Sequence, residues 1–277
     1  MAVVGSVNLD LVARLPRLPA AGETLTATAF DRVPGGKGAN QALAARRLGA
    51  QVRLVAAVGD DALADEALAL LRTDGVDTSA VTRHAGTATG LAMIEVDDTG
   101  ETTIVVVPAA NSKLRVEPGQ VAGADAVLTV LEVPDEAVSA AAAGAGGFFA
   151  VNAAPARPIP PDALARADLV VVNRAEYAMV PGLAGARLVA VTLGAEGAVL
   201  LRGGQELCRA RPPAVRAVDG TAAGDAFTAA LVLGLAGGPS APDALGSACA
   251  AGALTASRAG AQPSLPTAAE VAELVRR

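Results

Sequence analysis

A chain of 277 residues exceeds the common domain size, yet α/β enzymes of about 250 residues often fold as one unit, so one large domain with a sizeable core is expected. A net charge of -6 and an aromatic content of 2% leave neither a basic surface for a polyanion nor a platform for stacking bases, which excludes a nucleic-acid partner. One histidine, His84, and two cysteines, Cys208 and Cys249, exclude a His-based triad, a His-ligated zinc site and a disulfide framework. The thiols are expected to be packed and inert, and His84 to sit in an exposed loop.

In chain order, residues 1–6 pass directly into a strand-like run without a basic segment followed by an apolar stretch, so a cytoplasmic protein is expected. Residues 10–32 follow, where Thr24 to Phe30 alternate with the period of a half-buried strand. Residues 38–48 read as a helix stopped by Gly49, residues 52–58 as a buried strand, and residues 61–72 as a helix capped by Asp60 or Asp61 and ended before Gly75. Alternation with period two returns over residues 89–107. Apolar runs at residues 126–130, 148–151, 169–172 and 188–191 have the length of buried parallel strands. The Ala-rich stretch 137–151 is broken by glycines and too short to cross a bilayer.

Strand and helix in alternation predict a doubly wound sheet. The two period-two segments interrupt that rhythm, at about residues 10–34 and 86–108. They form either a small antiparallel lid standing off the sheet or an ordinary extension of its edge.

The run Gly220-Thr221-Ala222-Ala223-Gly224-Asp225 leads into an apolar helical stretch over residues 226–235. Small residues there expose the first N–H groups of a helix, whose unpaired donors and dipole suit an anion. Asp225 either accepts a proton from an attacking hydroxyl beside that anion or merely caps the helix. A second run, Gly35-Gly36-Lys37-Gly38-Ala39-Asn40-Gln41, precedes another helix. It is not a P-loop, because Asp31 stands where the first glycine belongs and Gly38 where Ser or Thr would bind magnesium.

With Gly5-Ser6-Val7-Asn8-Leu9-Asp10, these runs resemble the ribokinase family of sugar and nucleoside kinases. The likeness covers nearly the whole chain, through Leu131-Glu132, Asn152-Ala153-Ala154-Pro155-Ala156, Asn173-Arg174-Ala175-Glu176, Thr192 to Gly197 and Gly260-Ala261-Gln262-Pro263-Ser264. It implies one α/β domain over residues 1–277, a mainly parallel doubly wound sheet flanked by helices with a small antiparallel β lid. The implied activity is transfer of the γ-phosphoryl group of ATP to the 5-hydroxyl of D-ribose. A kinase for deoxyribose, fructose or a nucleoside is the alternative within the family, and a sugar-binding protein without catalysis the alternative outside it.

The resemblance also assigns residues. Asp225 is the implied base, and the amides of Ala222, Ala223, Gly224 and Asp225 the anion hole. Asn8, Asp10, Gly36, Lys37, Gly38, Asn40 and Glu132 complete the sugar pocket. Asn173 and Glu176 order magnesium and phosphates through water, Thr192, Gly194, Ala195, Glu196 and Gly197 pass near ATP, and Cys249 flanks the adenine. A monovalent cation, usually potassium, is implied beside Asp219, Thr221, Thr255, Arg258, Gly260 and Ser264, mostly through carbonyls. A homodimer in which two lids cover each other is implied as well. The chain departs from the pattern at Gly220 and Ala226, where Thr is common, and looks trimmed at residues 111–126 and 180–187.

Overall fold

The computed structural model describes residues 1–276. The chain begins with β1 (Ala2–Val4), β2 (Asn8–Leu15), β3 (Ala29–Gly35), α1 (Lys37–Arg47), β4 (Arg53–Gly59), α2 (Ala62–Thr73) and β5 (Val81–His84). It continues with β6 (Gly90–Asp97), β7 (Thr102–Val107), α3 (Pro118–Val121), β8 (Ala126–Val130), α4 (Asp135–Gly144), β9 (Phe148–Asn152), α5 (Pro161–Arg166), β10 (Leu169–Asn173) and α6 (Arg174–Met179). The last part holds β11 (Val189–Thr192), β12 (Ala198–Arg202), β13 (Gln205–Ala210), α7 (Ala223–Gly237), α8 (Ala241–Ala256) and α9 (Ala268–Val275).

A nine-stranded sheet runs in the order β13-β12-β11-β10-β9-β8-β1-β4-β5. From β11 to β5 every pairing is parallel, while β12 and β13 add an antiparallel margin. Successive residues feed opposite faces. Val3, Leu54 and Leu128 pack with α1, α2, α7 and α8, whereas Val4, Val55 and Val127 pack with α4 and α5. Burial on both faces is why these strands read as unbroken apolar runs. With so few aromatic rings, helices close in through small residues: a methyl on Gly234 of α7 would stand 2.8 Å from the Ala244 methyl of α8.

A four-stranded sheet, β3-β2-β6-β7, stands apart from the large one. Its outer pairs are antiparallel and its central pair, β2 with β6, is parallel over Asn8–Leu15. The period-two segments thus form a sheet of their own rather than an edge extension. Residues 24–28 are a correction: β3 starts only at Ala29, because the pairing with β2 ends at Arg14 opposite Ala29. His84 is a second, since it ends β5 half-buried instead of lying in an exposed loop. The segment before β11 holds only a short turn at Leu183–Gly185, and among the described residues no helix is long and apolar enough to cross a membrane.

Strand order reverses beside β1, where the chain passes outward through β4 and β5 and returns to β8 on the other side. Ligands of open α/β sheets bind at such a crevice, outside the carboxyl ends of the strands. The start of α1 closes onto it with no slack, because a Cβ on Gly38 would lie 2.5 Å from Gly5 C and Ser6 N. Gly38→Ala is therefore expected to destabilise the fold by about 1–3 kcal/mol in denaturant titration, as overpacking against backbone does. An unchanged midpoint would contradict that contact.

Candidate functional site

Ser6 follows β1, Glu132 follows β8, and Asn152, Asn173 and Thr192 end β9, β10 and β11, so one edge of the sheet presents them all. At the start of α1 Gly36 takes φ +87, a conformation open to glycine, and a Cβ there would meet Asn8 N at 2.7 Å. Glu132 binds this corner together. Ser6 Oγ donates to Glu132 Oε2, and the Lys37 amide donates to the same oxygen at 3.3 Å. The Lys37 ammonium stands 4.0 Å from Glu132 Oε1. Burial alone would lower its pKa, but the carboxylates of Asp225, Glu132, Glu176 and Asp10 outweigh that and hold it above the usual lysine value.

Asn8 and Asp10 project from β2, with glycines making the room. A Cβ on Gly35 of β3 would fall 2.1 Å from Asp10 Oδ2, and one on Gly90 of β6 2.3 Å from Asn8 Oδ1. Asn111 fixes Asn8: its Nδ2 donates to Asn8 Oδ1 at 2.8 Å and its Oδ1 accepts from the Val7 amide at 2.9 Å. Asp10 Oδ1 is buried without a protein partner, as is Asn40 Oδ1. Buried acceptors are rarely left so, and two of them in one corner suit a ligand rich in hydroxyl donors.

Asp225 is the third residue of α7 and does not cap it. The N-cap is Ala222, which has no capping side-chain bond and sits at φ 60, a strained position for a residue with a Cβ. Both Asp225 oxygens face α1 instead, Oδ2 accepting from Asn40 Nδ2 at 3.0 Å and Oδ1 from Gln41 Nε2 at 2.9 Å. Burial dominates its titration and raises its pKa, against Lys37, Asn40 and Gln41, which favour the charged form. The Ala223 amide turns back to Gly220 O at 3.2 Å, which corrects its expected place among the free amides of the anion hole, and the helical ladder begins with Ala226 N–H to Ala222 O. The Gly224 and Asp225 amides therefore precede the ladder, and a Cβ on Gly224 would meet open space.

Two cavities flank this point. One, of about 720 Å³, is lined by Ser6, Asn8, Lys37, Asn111, Glu132 and Glu176, together with Ile104 and Val106 of the small sheet and with Leu131 and Val133. The other, of about 590 Å³, is lined by Thr192, Gly194, Ala195, Gly197, Ala223, Gly224 and Cys249, together with Pro212 to Val215. Asp225 follows the Gly224 of the second and is bonded to Asn40, three residues beyond the Lys37 of the first. It lies between them.

Asn173 and Glu176 form a capping box on α6, with Asn173 Oδ1 accepting from the Glu176 amide at 2.8 Å and Glu176 Oε2 from the Asn173 amide at 2.7 Å. Glu196 turns away and pairs with Arg174 at 2.7 Å. The Asp219 carboxylate accepts from the Thr221 amide and hydroxyl at 2.9 and 2.6 Å and from the Gly260 amide at 2.9 Å, clasping two loops. The Thr255 and Ser264 hydroxyls donate to Ala251 O and Ala261 O, and Arg258 pairs with Glu270. Side chains there are occupied with shaping loops, so a cation would meet chiefly carbonyl oxygens. Among the described residues no group of three His, Cys, Asp or Glu side chains could hold a metal ion. Cys249 is buried, its thiol pushed up to about 11 by that burial, as an inert packed thiol should be.

Of the residues expected at the sugar side, Asn8, Asp10, Gly36, Lys37, Gly38, Asn40, Glu132 and Asp225 come together. Ser6, Asn111, Gln41 and Asn152 join them without any expected contact to a ligand, although Ser6, Gln41 and Asn152 lie inside the sequence motifs. Burial first, then Glu132 and Asp225, push the Asp10 carboxyl up to about 7, with Lys37 opposing. A folded-state pKa above the unfolded one means that the native chain binds more protons between about pH 4 and pH 7, so stability falls as pH rises through that window. Asp10→Asn should remove this loss, worth up to about 4 kcal/mol, in denaturant titrations at low and neutral pH. Equal pH slopes in wild type and variant would contradict it.

Comparison with known proteins identifies the family. The family model described as pfkB family carbohydrate kinase matches residues 1–268. The ribokinase of Bacillus subtilis is 36% identical, with 99% of this chain and 98% of the relative covered. The ribokinase of Haemophilus influenzae is 33% identical, with 99% and 98% covered. The Thermotoga maritima ribokinase crystal structure superimposes with a TM-score of 0.90 at 30% identity, covering 100% of this chain and 99% of that one. The Arabidopsis thaliana ribokinase complexed with ribose and ATP gives 0.90 at 30%, covering 100% and 98%. The chain belongs to the pfkB family of carbohydrate kinases.

Proposed function

We propose that this protein transfers the γ-phosphoryl group of ATP to the 5-hydroxyl of D-ribose, giving ribose 5-phosphate. The observation that carries the reading is the buried Asp225 carboxylate between two cavities, with unpartnered acceptors of Asp10 and Asn40 on one side and open helix amides on the other. Ribose is the substrate that the curated relatives' shared name points to, and its diol matches Asn8 with Asp10.

Phosphoryl transfer depends on positioning and charge neutralisation more than on covalent chemistry. Asp225 takes the proton of the attacking hydroxyl, its burial making it a stronger base than an exposed aspartate. The Gly224 and Asp225 amides and the dipole of α7 face the transferring group, and Lys37 balances the carboxylates around the sugar. Magnesium would arrive on the nucleotide and be met by Asn173 and Glu176 through water, as that ion prefers. A potassium ion would be held by carbonyls of the loops that Asp219 clasps, with Thr221, Thr255, Arg258, Gly260 and Ser264 contributing, and would fix the shape of the anion hole. The reading includes a cytoplasmic setting and a homodimer through the small sheet, whose Phe30, Met93, Ile104 and Val105 are exposed.

The apolar wall of the first cavity favours one second reading, a ribose carrying a base on its anomeric carbon. A coupled assay of ADP release with Mg-ATP and potassium across ribose, deoxyribose, fructose and nucleosides separates the two. ADP release with none of them would overturn the kinase reading. Asp225→Asn should keep sugar binding by calorimetry and lose roughly 10² to 10⁴ in turnover. Turnover like the wild type would remove Asp225 from the role of base.

A further inference from the structure

Gln41 is fully buried, and its amide nitrogen donates at 2.9 Å to Asp225 Oδ1 and at 2.8 Å to Asn152 Oδ1. Its own carbonyl oxygen is buried with no partner. A core amide that leaves its acceptor unpaired carries a desolvation penalty, which a Leu or Met at the same place would avoid. Both N–H bonds of one nitrogen are spent on two side chains that converge from different elements, one on α7 and one at the end of β9.

The polarity of this chain of bonds is not arbitrary. The Val171 carbonyl of β10 can only accept, and it takes a hydrogen bond from Asn152 Nδ2 at 3.2 Å. That bond turns Asn152 Oδ1 toward Gln41, which must answer with a donor. The same nitrogen then directs its second hydrogen at Asp225 Oδ1, an oxygen thereby restricted to accepting. Asn40 Nδ2 donates to the other oxygen. A backbone carbonyl in the central sheet thus sets the hydrogen-bond direction at the carboxylate two side chains away.

We propose that Gln41 is a positioning residue for phosphoryl transfer: through Asn152 it tethers Asp225 to the sheet and holds its carboxylate in the accepting, ionised form and in one rotamer. The inference rests on the reading of Asp225 as the base. The charged groups facing Asp225 are Lys37 of α1, Glu132 after β8 and Asp10 of β2, all of which remain when Gln41 is changed.

The test uses the full chain with ribose and Mg-ATP, comparing the wild type with Gln41→Met, Asn152→Leu, Asp225→Asn and the double variant Gln41→Met/Asp225→Asn. Gln41→Met keeps the length of the side chain and removes both donors. It is expected to lower kcat about 10- to 100-fold, as a misplaced reacting group does, with KM for ribose within about threefold. The acidic limb of its kcat–pH profile should move to higher pH, because a donor that favours the carboxylate is gone. Adding Gln41→Met to Asp225→Asn should lower kcat no further. A folded Gln41→Met with wild-type kcat and an unmoved acidic limb overturns the inference, as does a loss confined to KM. If Gln41→Met does not fold, Asn152→Leu decides, since it must shift kcat and the acidic limb in the same sense or the tether fails. Inactive Asp225→Asn beside unaffected Gln41→Met removes only the role of Gln41, whereas active Asp225→Asn removes the base itself.

Discussion

The approach of Gly38 to the Gly5–Ser6 backbone is the constraint from which the sugar side of the site follows. No side-chain carbon fits between them. The contact sets the first turn of α1 on the end of β1, and that turn delivers Lys37, Asn40 and Gln41 to one place. Asn40 and Gln41 then reach Asp225, so a helix near the start of the chain positions the carboxylate of one almost two hundred residues later. Ser6 and Glu132 close the same corner from the strands on either side of the crevice.

Much of this was legible because burial on both faces leaves a plain mark. The runs at residues 126–130, 148–151 and 169–172 appear as β8, β9 and β10 within a residue, and Asp61 caps α2 by accepting from the Ala64 amide at 3.0 Å. Where elements depend on a partner the sequence was mute or misleading. Residues 24–28 alternate without a strand opposite them. The short edge strand β5 has two exposed central residues and no period to betray it. The candidate site was readable mainly through the family resemblance, whose motifs named Asn8, Asp10, Lys37, Asn40, Glu132 and Asp225, residues that the fold brings together. Asn111, Gln41 and Asn152 act on other side chains, and no local spacing announces a bond made across more than a hundred residues.

Strain and openness coincide at the start of α7. Ala222 holds a left-handed conformation without the benefit of being glycine, and no side chain covers the amides that follow it. A helix selected only for stability would carry Ser or Asp at that cap. The fold leaves the donors vacant at the boundary between the two cavities, where a carboxylate already sits among them.

Asp10, Glu132 and Asp225 gather around a single ammonium, that of Lys37. An uncharged sugar enters such surroundings without electrostatic penalty. A sugar phosphate carries about -1.5 to -2 charges, and away from the α7 amides that face its phosphate it adds negative charge beside the same carboxylates. Turnover of the proposed kind would thus convert a tolerated guest into an expelled one, so the acidic crowd that costs the free protein stability would hasten departure of the product.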